Sequence, residues 1–135
     1  MSIIRRAVVA ALIKNKYGEA FIQQREKGKE SEMMWELPGG KVEDGETLEE
    51  ALNRELKEEL CGKVLIKKYI GSIEKISTAG KWQNEKYILH FYLCHGDDNV
   101  FSPTTANRWV RKDDLSTFAF NIFYEDLSLL LTELL

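Results

Sequence analysis

Cysteine is scarce in this chain: Cys61 and Cys94 are the whole supply. Two are too few for a disulfide framework or a cysteine-built zinc site, and a reducing cytoplasm is the expected setting. No apolar run approaches the ~20 residues that span a bilayer, so no membrane association is expected. The opening stretch, MSIIRRAVVAALIKN, has arginines inside its apolar run and lacks a small-residue cleavage site. It reads as a strand and not as a leader. Internal repeats and low-complexity tracts are missing too. So is a basic excess: 19 Lys and Arg stand against 22 Asp and Glu, for a net charge of −3. That balance argues against a nucleic-acid duplex as partner. An anionic ligand would have to be attracted locally, by a few Lys and Arg or by a bound metal.

What is present fits one globular domain, residues 1–135, with 44% hydrophobic and 30% charged residues. Ile3 to Lys14 reads as a buried strand. A turn at Gly18 and a second strand over Ala20 to Arg25 make the opening a hairpin. WELPGG, broken by Pro38, Gly39 and Gly40, is a short extended piece. Thr47 to Leu60 predicts a helix. Strands are expected at Val64–Ile76, Lys86–His95 and Arg108–Arg111, with an apolar helix over Asn121–Leu135. Strands and helices mix without strict alternation, which favours an α+β fold.

The stretch ETLEEALNRELKEEL, Glu46 to Leu60, is dense in carboxylates. Advancing about 100° per residue puts Leu48, Ala51, Leu52, Leu56 and Leu60 on one stripe. Glu49 and Glu50 lie away from it and read as ordinary surface. Glu55 and Glu59 fall inside or at the edge of the stripe, where carboxylates are rare unless paired or metal-bound. Glu55, Glu58 and Glu59 are also neighbours at i, i+3 and i+4. At an effective dielectric of ~20 the bare repulsion is about 3 kcal/mol per pair, which a divalent cation with oxygen ligands would remove. From the helix alone, a metal site and a solvated acidic face are equally good readings.

The flanks add a second signal. Counting from Gly40 in PGGKVEDGE, five residues precede Glu46, seven more precede Arg54, and RELKEE follows. This spacing resembles the signature of the Nudix hydrolase family: glycine, five residues, glutamate, seven residues, then Arg-Glu-apolar-x-Glu-Glu-x-Gly. Gly40, Glu46, Arg54, Glu55, Leu56, Glu58 and Glu59 match over a 23-residue motif. Cys61 stands where the signature has its closing glycine, and Gly62 follows. Gly62 is expected to end the helix after one extra residue, and Cys61 to be a small buried thiol.

The resemblance implies a Nudix-type α/β/α sandwich with a mixed, mainly antiparallel sheet. It implies Mg²⁺ or Mn²⁺ as cofactor and a nucleotide diphosphate linkage as the bond hydrolysed. By resemblance Glu55, Glu58 and Glu59 are metal ligands, with a backbone carbonyl from Gly39. Arg54 is expected to hold the cluster through Glu58 or Glu50, and Glu46 to favour the helix start or join the metal site. WELPGGK is similar to the MutT branch, which implies a nucleoside triphosphate pyrophosphohydrolase releasing monophosphate and pyrophosphate. In that branch Arg25 and Lys41 would meet substrate phosphate beside Glu36, Gly39 and Gly40. Asn121 would read the base, with Phe118 and Phe120 as stacking faces; equally, Asn121 caps the last helix. The general base is open, with the helix itself, Glu74 and Glu85 as sources. His90 and His95 read as strand residues. A monomer or homodimer is expected. Two other readings stay open: a Nudix-like nucleotide-binding or sensing domain without turnover, and a hydrolase of another nucleoside diphosphate-linked compound.

Overall fold

A computed structural model describes residues 5–25, 34–76 and 85–117. Seven strands and one helix lie among them. The strands are β1 (Arg5–Lys14), β2 (Ala20–Gln24), β3 (Trp35–Glu36), β4 (Gly39–Lys41), β5 (Val64–Ile76), β6 (Lys86–Gly96) and β7 (Asn107–Val110), and the helix is α1 (Leu48–Glu59). A 3-10 turn, Lys112–Thr117, follows β7. The expected helix over 121–135 lies outside the described residues.

The strands form one mixed sheet in the order β3-β2-β1-β6-β5, with β4 against β1 and β7 against β2. Every pairing is antiparallel except β1 with β6, which run parallel from Arg5↔Lys86 to Lys14↔His95. The architecture is therefore α+β, as the sequence pattern suggests. β1 is apolar without alternation because both of its faces are covered. Ala10 and Leu12 pack with Ile22, Leu37, Leu89 and Phe91 on one side. Val9, Ala11 and Ile13 pack with Phe21, Tyr92 and the helix residues Ala51, Leu52 and Leu56 on the other. Burying each such leucine stabilises the fold by about 1.5–3 kcal/mol.

The hairpin places the functional loop. β1 and β2 pair only at their shared end, Lys14↔Ala20. Further along, β1 takes β4 as its antiparallel neighbour, Val9↔Gly40 and Ala10↔Gly39. Gly39 has φ +154, and a Cβ there would stand 2.0 Å from the Val9 carbonyl oxygen. Only glycine lets the two backbones approach this closely.

A capping box starts α1. The Thr47 hydroxyl accepts from the Glu50 amide at 3.1 Å, and the Glu50 carboxylate accepts from the Thr47 amide at 2.9 Å. The far end differs from expectation. Helical structure stops at Glu59, and Leu60 is already extended at φ −123, ψ 148. Cys61 then pairs its backbone with Phe101, donating to and accepting from it at 2.8 and 3.1 Å. This bridge draws the chain off the helix axis before an extra turn residue can form. Gly62 does not close the helix. It sits against the Asn99–Val100 backbone, where a Cβ would stand 2.8 Å from the Asn99 carbonyl oxygen. Cys61 is exposed, not buried. The buried thiol is Cys94, whose pKa burial pushes up to about 12.

Candidate active site

The last two turns of α1 pass over β4 and the end of β2. Glu55 and Glu59 leave the helix on the flank of its apolar stripe, and both are half-buried. Glu59 is held from two strands. Its Oε2 accepts from the Gly39 amide at 3.0 Å, and its Oε1 accepts from Gln23 Nε2 at 2.9 Å. Glu55 lies over Gly40. A Cβ on Gly40 would stand 2.4 Å from the Glu55 carboxyl carbon, so the glycine leaves the space that this carboxylate fills. The two glycines of PGGK thus act differently: Gly39 offers a donor, and Gly40 offers room.

Arg54 ties the pieces together. Its Nε and Nη2 donate to the two oxygens of Glu46 at 2.8 and 2.9 Å. Such a fork on a carboxylate is the strong form of the ion pair. Nη2 also donates to the Lys41 carbonyl, and Nη1 to Glu55 Oε1, both at 2.9 Å. The expected partner Glu58 is more distant, 3.5 Å from Nη1, and its side chain is 59% exposed. Glu50 is engaged at the helix start instead. Glu46 therefore acts mainly through Arg54, because the bend at Glu43–Glu46 brings it under the guanidinium; its amide donates to the Glu43 carbonyl at 3.1 Å. Arg54 holds the Glu46 carboxyl down to about 2, helped by the Glu43 amide. Glu46 and Glu55 in turn raise the Arg54 pKa.

The electrostatics single out the remaining pair. Burial pushes the Glu59 carboxyl up to about 8, with Glu55 and Glu36 adding repulsion against the donors Gln23 and Gly39. Burial also raises Glu55; the Arg54 guanidinium offsets part of that rise, and repulsion from Glu58 and Glu43 adds to it. Among the described residues no group of three or more His, Cys, Asp or Glu converges as a ready metal cage. The set present nevertheless fits Mg²⁺, which typically takes one or two carboxylates and completes its shell with water and substrate oxygens. Two half-buried carboxylates under-compensated for charge are such a donor set.

The other candidates are placed as follows. Arg25, just after β2, donates from Nη1 to Glu36 Oε2 at 3.0 Å, with both side chains largely covered. Lys41 is exposed at the end of β4. Glu85 is paired with Arg6, and Glu74 lies 3.4 Å from Lys86, so each already has a basic partner. His90 is half-buried on β6, 2.9 Å from the Tyr69 hydroxyl. Asn121, Phe118 and Phe120 lie outside the described residues. One contributor escaped sequence reasoning: Gln23, on β2, reads as one of two similar glutamines in AFIQQR. Strand alternation with Phe21 was the signal that could have placed it on the α1 side.

Comparison with known proteins bears on the family and the fold. The sequence model of the NUDIX domain matches residues 4–130. An 8-oxo-dGTP diphosphatase from Haemophilus influenzae is 47% identical over 53 residues, which are 39% of this chain and 39% of that protein. The chain thus matches well under half of that relative's length. The nucleoside triphosphatase NudI of Escherichia fergusonii is 26% identical, with 87% of this chain and 90% of that protein covered. The crystal structure of a MutT protein from Methanosarcina mazei Go1 superposes with a TM-score of 0.81 at 22% identity, covering 98% of this chain and 96% of that one. At that identity the likeness speaks for the fold. With the signature residues gathered between α1 and β4 and the family model spanning nearly the whole sequence, the chain belongs to the NUDIX domain family.

Proposed function

We propose that this chain is a metal-dependent pyrophosphohydrolase of MutT type. It cleaves the diphosphate linkage of a nucleoside or deoxynucleoside triphosphate and releases the monophosphate and pyrophosphate. The observation that carries this reading is the half-buried Glu55–Glu59 pair facing Gly39 and Gly40. Burial and mutual repulsion oppose the charged forms of both carboxylates, and a bound cation would favour them beyond what Arg54 already gives Glu55. The names of the relatives, 8-oxo-dGTP diphosphatase and nucleoside triphosphatase, point to the same substrate class.

Glu55 and Glu59 hold Mg²⁺ or Mn²⁺, with Glu58 and the Gly39 carbonyl as the further oxygen donors. Bound there, the cation would supply charge neutralisation at the phosphate oxygens and activation of water. Arg54 fixes the orientation of Glu55 and, through Glu46, braces the loop before the helix. Arg25, oriented by Glu36, and Lys41 supply positive charge toward the phosphates. Asn121 contacts the base. The setting is cytoplasmic, and the nucleotide is the partner.

A panel of nucleoside triphosphates, deoxynucleoside triphosphates including 8-oxo-dGTP, and nucleoside diphosphate conjugates, incubated with Mg²⁺ and resolved by chromatography, tests this. Monophosphate and pyrophosphate from a triphosphate are expected. Absence of any product while nucleotides still raise the melting temperature would favour a sensing domain.

A further inference from the structure

Gln23 is 4% exposed, with Phe21 and Ile22 fully buried beside it on β2. Its Nε2 donates to Glu59 at 2.9 Å. Among the described residues its Oε1 is the buried side-chain oxygen without a hydrogen-bond partner. A residue that only filled this space would be apolar, since half of the buried amide is left unmet. The amide is therefore kept for what its N–H half does. Gly39 reaches one oxygen of Glu59 from β4, and Gln23 reaches the other from β2. Two donors from two strands fix both the rotamer of the carboxylate and the plane in which it lies. The backbone donor is set by the pairing of the sheet, while the side-chain donor depends on the residue at position 23.

We propose that Gln23 is the positioning residue of the Glu59 carboxylate, aiming it for cation binding, with its own buried carbonyl oxygen left to accept from a water or hydroxyl group entering the site. This rests on the reading of Glu59 as a metal ligand. Partners that orient a ligand typically alter metal affinity by about 10–100-fold when lost.

The test is Mn²⁺ binding, followed by the paramagnetic signal of free Mn²⁺, in the unmodified protein and in Gln23→Met. Methionine keeps the length and bulk and removes both polar halves. The expected result is ~10-fold weaker Mn²⁺ binding in Gln23→Met, with the metal-free melting temperature unchanged or raised. A packing role predicts the reverse: affinity within about twofold of the parent. That outcome would overturn the proposal. Should Gln23→Met fail to fold, the side-chain amide signals of Gln23 in the ¹⁵N-labelled parent decide. They shift on addition of Mg²⁺ if the proposal holds, and stay in place if it does not. A parent that binds no Mn²⁺ at all contradicts the metal-site reading itself, whatever Gln23 does.

Discussion

Gly40 shows how a residue without a side chain can decide where a carboxylate lies. The Glu55 carboxylate fills the volume that a Cβ would need, at 2.4 Å from its carboxyl carbon. That carboxyl is the far end of a flexible side chain, so Gly40→Ala should displace it and leave the sheet intact. The expected outcome is a ~100-fold loss of Mg²⁺-dependent turnover, the order seen when a catalytic group is misplaced by about 1 Å. Circular dichroism should be unchanged. Turnover near the parent level would mean that Glu55 does not need this position. At Glu59 the same scale explains an incomplete reading of the sequence. Helical spacing put Glu59 inside or at the edge of the apolar stripe, but its two anchors come from positions 36 and 20 residues away in the chain. Such long-range donors have no periodic signature.

At the scale of elements, the helix was legible because its cause is local. The apolar spacing, the Thr47–Glu50 capping box and the leucine stripe lie within fifteen residues. Its C-terminal end was not. The Cys61–Phe101 bridge is a tertiary contact, and it decides that Leu60 is extended and that Gly62 serves another packing. Arg54 makes the same point. Spacing on the helix offered Glu50 and Glu58, yet the fork closes on Glu46, which reaches it only because the Glu43–Glu46 bend folds back. The strands were legible to within a residue or two, since β-branched and aromatic runs end at marked turns. Which strands pair was not: the parallel contact of β1 with β6 joins segments about eighty residues apart. Strand β5, which pairs with β6 alone among the described residues, carries Lys67, Lys68 and Lys75 and two register shifts. Lysines and bulges of this kind keep an edge from recruiting further strands.

At the scale of the whole molecule, opposed titrations set the pH dependence of stability. Glu59 is raised from 4.5 to about 8 in the folded chain. Between those values the folded state keeps a proton that the unfolded state has lost, so metal-free stability falls as pH rises through that window, by at most about 1.4 kcal/mol per pH unit. The raised Glu55 adds in the same direction. Glu46 is lowered to about 2, so its contribution is present above 4.5 and lost as pH falls toward 2. Metal-free protein should therefore melt highest near pH 5. Added Mg²⁺, which favours the charged carboxylates, should move that maximum upward. Melting curves from pH 3 to 9 with and without Mg²⁺ check this, and a maximum that ignores Mg²⁺ would count against the site.

On the function proposed above, the Glu59 carboxylate takes part in metal-dependent cleavage of a nucleoside triphosphate. Turnover of the best panel substrate, titrated with Mg²⁺ for the parent and for Glu59→Gln, tests it most directly. The parent should show no turnover in chelator and saturable rescue by Mg²⁺, and a folded Glu59→Gln at least a ~100-fold loss. Parent-like turnover by Glu59→Gln, or hydrolysis that persists in chelator, would contradict it.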